Sequence, residues 1–394
     1  MSSTIELGQL RRDRSNRRPR RTRLDPFPRD PVRRWILRLA LVAPMLFFAM
    51  LDDLSARVEG TPNADLVGSV GAIDWSRGDA QWLAELYPHI SMLIAAGNPL
   101  GRLGLSLVGA VAAGFLLQKV AEIIAQRAIP LSTGIILVIA LAANPLFAYF
   151  ALENLPGFLA ITFFGLALAD LVRFVNWGNT ESGFRAGILI MMAALSDPSG
   201  ILFALVAVLA SPFLRHGRAY APGLRAANVL VIGFPTAGAF ATIAVLNVAF
   251  FRSPWPGLDL AALAASVPAA SRDVVALYST PEGWLLIAAV ASAWLVALIV
   301  RRPAAMPVSA IVFLLLNIGM ILGMFHPGAA GITFTLLTLL AITLIPAART
   351  PTTNVLVDLV AVLQIVIAWR AAFESDVVLE WMLGIAAASL VLFG

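Results

Sequence analysis

Runs of apolar residues close to twenty long recur along the whole chain, and nothing else constrains its fold as strongly. A helix rising ~1.5 Å per residue needs ~20 residues to cross a ~30 Å hydrocarbon core. Such runs can be drawn at 35–51, 103–120, 130–149, 156–175, 183–196, 199–214, 226–250, 283–300, 305–324, 329–347, 354–372 and 377–393. They predict an all-α, polytopic helical membrane protein with about twelve transmembrane helices, eleven to thirteen once the short pair at 183–214 and the last run are weighed. Composition agrees: 59% of residues are hydrophobic, 13% are charged and mean hydropathy is +0.85, whereas soluble domains carry about 25% charge. With no cysteine, disulfides, Fe–S clusters and thiolate metal sites are excluded.

The charges that remain are ordered. Of 28 basic residues only Lys119 is lysine, and twelve arginines precede residue 39. Residues 1–34 are rich in Arg and Pro and poor in apolar residues, which predicts a disordered cytoplasmic tail that meets anionic lipid. Phe27 is the single aromatic residue among its arginines, which gives no series of rings to stack on bases, so nucleic acid is not an expected partner. With the N-terminus inside, the short inner loops and their flanks hold Lys119, Arg127, Arg173, Arg185, Arg215, Arg218, Arg225, Arg301, Arg302 and Arg349. The outer ones hold Arg57, Arg77, Arg102, Arg252, Arg272 and Arg370 over far more residues. This bias is the positive-inside pattern. It predicts a multi-pass protein of a bacterial cytoplasmic (inner) membrane, with the C-terminus also inside if the span count is even.

The first outer segment, 52–102, carries most of the candidate chemistry. Asp52 and Asp53 end the first apolar run, and Glu59, Asp65, Asp74, Asp79 and Glu85 follow. A carboxylate at the lipid–water boundary is either a solvated loop start or a base able to take a proton from an acceptor hydroxyl. Two adjacent acids point in different directions, so one of the two reaches any site. Further on, Trp82, Leu83, Leu86, Ile90 and Ile94 recur at helical spacing. They predict a short helix lying in the interface with its apolar face in lipid, together with Asp79, Tyr87 and His89. A second outer segment, 252–282, holds Arg252, Trp255, Arg272 and Tyr278. His89 and His326 both fall on the outer side and, with outer carboxylates, supply ligand types for a divalent ion, but no spacing motif joins them. No metal and no cofactor is expected. Pro235 should kink the seventh run, with Gly233 and Gly238 allowing close packing. Acids near the inner ends, Asp170 and Asp358, form no relay, and no symmetric halves with broken helices appear, which counts against a transporter.

Beyond the acidic segment, NPLFAYFALENLPGFLAITFFGLALADLVRF leads to FRAGILIMMAALSDPSGILFAL, with the corner Leu195-Ser196-Asp197-Pro198-Ser199-Gly200-Ile201, and then to PTAGAFATIAVLNVAFFRSPWPG. A short first span, acidic residues after it, and this order of helices and corners resemble the integral-membrane GT-C glycosyltransferases, in particular the protein-mannosyltransferase and aminoarabinose-transferase-like branch. The resemblance covers roughly residues 35–260 and divides the chain into the tail 1–34, a GT-C-like transmembrane module 35–260 and C-terminal helices 261–394.

The resemblance implies an inverting glycosyltransferase that moves a sugar from a polyprenyl-phosphate donor to a glycan, lipid or protein acceptor on the outer face. The family's catalytic acid follows the first span, which maps onto Asp52, with Asp53 as alternate. Its second outer loop contributes a further acid, here Glu153. Basic residues at the outer surface meet the lipid phosphate in that family, and the candidates are Arg57, Arg77, Arg102, Arg252 and Arg272, since guanidinium grips phosphate bidentately. Asp79, Trp82, Tyr87, His89 and His326 are the remaining candidates for substrate binding. The chain departs from the family in lacking a C-terminal outer domain and in carrying Asp197 where lysine is frequent. The alternative implied is a non-catalytic GT-C-like subunit that partners with, or presents lipid to, an envelope-polysaccharide enzyme.

Overall fold

A computed structural model describes residues 27–55, 60–76, 86–126, 131–177, 179–211, 224–256, 260–299, 305–325 and 351–393. Among them every regular element is helical, with no strand. The tail up to residue 26 and the predicted span 329–347 lie outside the described residues.

Polar residue–proline pairs start several helices. Asp30, Thr61, Asn144 and Asp197 each precede a proline and accept a hydrogen bond from the first turn, at Val32, Ala64, Leu146 and Ser199 respectively. The cap satisfies an orphan N–H, and proline loses nothing at the first helical position. These signals open α1 (Pro31–Leu54), α2 (Pro62–Ala72), α6 (Pro145–Glu153) and α9 (Pro198–Ala210). The other elements up to residue 251 are α3 (His89–Ala96), α4 (Gly101–Gln126), α5 (Leu131–Ala142), α7 (Leu155–Trp177), α8 (Thr180–Ser196) and α10 (Leu224–Phe251). Then come α11 (Leu260–Leu277), α12 (Pro281–Ile299), α13 (Ala305–Ile321), α14 (Pro351–Glu374) and α15 (Asp376–Phe393).

Five of these helices are long and apolar enough to cross a membrane: α1, α4, α10, α14 and α15. A sixth span forms if α5 and α6, bent by 50° at Asn144, are taken together. Shorter apolar helices lie in α7, α9, α12 and α13. This is a helical membrane protein by length and composition.

The central packing is α7 against α8, α1 against α4, and α10 across α8. Small residues make the last crossing possible. A Cβ on Gly187 would stand 2.7 Å from the Val231 carbonyl, and one on Gly183 would meet Val231 at 3.0 Å. The two glycines are four apart on one face, the spacing that lets membrane helices approach closely. Close packing was expected instead at Gly233 and Gly238 around Pro235. A Cβ on Gly233 would touch only Val208, and Gly238 has open space. The approach uses glycines of the neighbouring helix.

The charges separate to opposite ends of this bundle. At one end Lys119 and Arg173 pair with Glu122, and Arg173 and Arg185 pair with Asp170, joining α4, α7 and α8. The Arg38 guanidinium, stacked 4.6 Å over Trp35 and 4.8 Å over Phe115, donates to Gln118. At the other end stand Asp52, Arg102 and Glu153. Arg102 and Glu122 are ~30 Å apart along α4 at 1.5 Å per residue, which matches the hydrocarbon thickness.

Of the apolar stripe expected to face lipid, Leu86 is buried and Ile90 and Ile94 pack on protein, while Trp82 and Leu83 lie outside the described residues. Leu66 and Ile73 of the α2 region, and Leu86, Met92 and Ala95 at and within α3, are buried against Leu105, Leu155 and Leu159. Ser91 Oγ donates to the Ser196 carbonyl at 2.6 Å, tying α3 to the end of α8. Amphipathic spacing shows that one face is apolar; here that face found protein. In the second outer segment, α11 occupies much of 252–282 as an exposed helix containing Pro268.

Candidate functional site

Asp52 lies within the last turn of α1 rather than in a loop after it. The helix places the two acids about 100° apart. Asp52 is buried, and Asp53 is half-buried with contacts of its own. The Asp52 carboxyl lies against Glu153, Arg102 and Trp381.

Glu153 was expected in a short outer loop. The structure reduces that loop to the single residue Asn154 between α6 and α7, so the Glu153 side chain is 1% exposed. Its position follows from three contacts on the backbone around it. Ser106 Oγ on α4 donates to the Leu152 carbonyl at 2.7 Å. The fully buried Asn63 spans the break, donating Nδ2 to the Leu152 carbonyl at 2.7 Å and accepting from Leu155 N–H at 2.8 Å. Gly109 completes the fit: a Cβ there would stand 1.8 Å from the Ala151 carbonyl, so only glycine lets α4 run this close to α6.

Arg102, at the start of α4, donates Nη2 to Glu153 Oε2 at 2.9 Å. One guanidinium therefore serves two neighbouring carboxyl groups. Tyr149, one turn before Glu153 on α6, and Trp381 on α15 wall this end, with their rings edge to face at 5.6 Å. Glu153 and the Trp381 indole N–H interact with the Asp52 carboxyl, and the Tyr149 hydroxyl is buried without a hydrogen-bond partner among the described residues. Tyr149 and Trp381 were not anticipated from the sequence. Trp381 is more than 300 residues from Asp52, and only packing brings them together.

A second group of candidates adjoins this one. Tyr87 donates to the Ala194 carbonyl at 3.3 Å and contacts His89 edge to face at 5.7 Å. Burial and the nearby Asp197 push the Tyr87 phenol above its usual range, and burial lowers the basicity of His89. Asp197 caps α9: its Oδ2 accepts from Ser199 N–H at 2.8 Å and from the Ser199 hydroxyl. Burial raises the Asp197 carboxyl, and the Ser199 hydrogen bonds oppose that shift. Gly200 makes the corner tight, since a Cβ there would stand 2.0 Å from the Ala193 carbonyl.

Arg252 is exposed, with a left-handed backbone (φ 58°) that ends α10 and turns the chain back, so that Trp255 packs on Phe240 and Phe240 on Tyr87. Arg272 is exposed on α11 and donates to the Pro268 carbonyl of its own helix. Arg57, Arg77, Asp79, Trp82 and His326 lie outside the described residues. Among the described residues no group of three or more His, Asp or Glu side chains is placed to hold a metal ion. Of the predicted residues, then, the structure joins Asp52, Arg102 and Glu153 in one cluster and Tyr87 with His89 in another.

No family model matches the chain, and no curated protein or solved structure matches it either.

Proposed function

We propose that this protein is a membrane glycosyltransferase of GT-C type that moves a sugar from a polyprenyl-phosphate donor to a cell-envelope glycan, lipid or protein acceptor. One observation carries the reading: Asp52 faces Glu153 and Arg102, buried at the end of the bundle opposite the cluster of Lys119, Arg173 and Arg185. In the full topology about twelve helices cross a bacterial inner membrane, the basic end is cytoplasmic and the carboxyl pair faces outward.

Asp52 accepts the proton of the acceptor hydroxyl. The acceptor oxygen bonds to the anomeric carbon as the bond from that carbon to the phosphate oxygen breaks, inverting the centre. The polyprenyl phosphate leaves with the electron pair. Its charge is met by a guanidinium from the outer set, with Arg102 beside Asp52 among the described residues. Glu153 holds Arg102 in place between the two.

A second reading has its own support. The Arg102–Glu153 pair is almost wholly buried, as a purely structural ion pair would be, and a non-catalytic subunit that presents lipid to a partner enzyme would keep it. The purified protein in nanodiscs, given a radiolabelled polyprenyl-phosphate sugar and envelope acceptors, separates the two. Transferase action releases polyprenyl phosphate and yields labelled acceptor. No turnover, together with a membrane protein co-purifying in stoichiometric amount, supports the subunit reading.

A further inference from the structure

Beside the carboxyl pair a cleft of about 280 Å³ opens between the acidic segment and the helix corners. Asp65 and Ser69 of α2, Tyr87, Asn154 and Asp197 supply its polar lining, and Pro62, Pro88, Pro156 and Pro198 much of the rest. Asn154 directly follows Glu153 in the chain, so the cleft and the buried pair share one stretch of backbone.

Two of the polar groups have capacity to spare. Asn154 is 7% exposed; its Oδ1 accepts from Gly157 N–H at 3.0 Å, and its Nδ2 makes no hydrogen bond among the described residues. Asp197 uses Oδ2 for both Ser199 contacts, and its Oδ1 is uncommitted there. A donor and an acceptor thus face one small space. Its volume falls just under the range of roughly 300–1,000 Å³ typical of sites for drug-sized ligands. Among the described residues the lining holds no basic side chain to meet an anion such as a phosphate, and the Asp197 carboxyl stands against one. Hydroxyl groups, each both donor and acceptor, match an amide N–H beside a carboxyl oxygen. The proline rings offer apolar surface to the C–H face of a small ring.

We propose that this cleft binds an uncharged polyhydroxylated group of about one sugar ring. The proposal rests on the transferase reading only in making that ring the donor's or the acceptor's sugar; binding itself does not depend on catalysis. Ligand-observed saturation-transfer NMR on the full chain in nanodiscs tests it, with a panel of methyl hexosides and methyl pentosides and with inorganic phosphate as the anionic control. At least one methyl glycoside should bind, and inorganic phosphate should not compete with it. Ser69 is exposed on α2, so Ser69→Trp fills the cleft mouth without disturbing the core and should abolish the signal. Asp197→Asn keeps a good helix cap and should weaken binding about tenfold, the effect of one hydrogen bond to a carboxyl group. Displacement of the glycoside by a short-chain prenyl-phosphate sugar assigns the cleft to the donor, and simultaneous binding assigns it to the acceptor. Absence of glycoside binding, binding unchanged in both variants, or displacement of the glycoside by inorganic phosphate would overturn the proposal. If glycosides bind and no transfer is ever detected, the cleft stands and the transferase reading falls.

Discussion

Arg102 Nη2 and Glu153 Oε2 lie 2.9 Å apart, joining the start of α4 to the end of α6 in a pair whose side chains are 17% and 1% exposed. Removing one partner of a buried pair leaves an uncompensated charge, which costs more than the pair itself contributes. Arg102→Ala should therefore destabilise the protein by about 3–5 kcal/mol, and Arg102→Ala with Glu153→Gln by clearly less. Thermal unfolding of the purified variants in detergent checks this. Equal losses in the single and double variants would show that the ion pair is not the coupling.

Asn63 carries a comparable burden with no charge. Asn63→Ala leaves the Leu155 N–H without its acceptor inside the protein, a penalty of about 1–3 kcal/mol. The effect should be local, appearing as faster hydrogen exchange at residues 153–158 before global unfolding. Asn63→Asp keeps the acceptor for Leu155 but sets its second oxygen against the Leu152 carbonyl, and should be no better than alanine.

Two glycines should respond oppositely to the same substitution. Gly109→Ala drives a methyl group into the Ala151 carbonyl, whose backbone cannot yield cheaply. It should lower the yield of monodisperse protein in size-exclusion chromatography and displace Glu153. Gly238→Ala meets nothing within 4 Å and should be neutral or stabilise the helix by about 0.5–1 kcal/mol.

His89 gives the molecule a pH dependence of defined sign. Burial lowers its pKa in the folded state from the ordinary value of 6.5, so below that value the unfolded chain binds more protons than the folded one. This contribution to stability is fully present well above pH 6.5 and is lost as pH falls. His89→Phe should retain more of its neutral-pH melting temperature at pH 5 than the parent protein does. A parallel decline in both would place the acid sensitivity elsewhere.

Much of this site was legible one residue at a time. An apolar run ending in Asp52-Asp53, an arginine opening the next run and a lone Glu153 between two runs are visible as charges where charge is costly. Their proximity follows from helix length: Asp52 ends α1, Arg102 opens α4 and Glu153 ends the bent α5–α6 pair, each long enough to span, so alternating chain direction collects them. Tyr149, Trp381 and Asn63 carry no such mark, because aromatic and amide residues are ordinary within apolar helices and only packing selects them. The packing of the acidic segment's described part has a related cause. The spacing of Leu86 and Ile90 measures amphipathicity, and the burial of Leu86, Met92 and Ala95 against Leu155 and Leu159 depends on residues far away in sequence.

The difference between neighbouring acids tests the account most directly. Asp52 faces Glu153 and Arg102, whereas Asp53 turns to another side of the same helix. With the purified protein in nanodiscs and a polyprenyl-phosphate sugar as donor, the rate of prenyl-phosphate release should fall about 10²–10⁴-fold in Asp52→Asn, the usual contribution of a general base. Asp53→Asn should stay within a few-fold of the parent. Equal activity in Asp52→Asn and the parent, with both equally folded, would contradict the assignment.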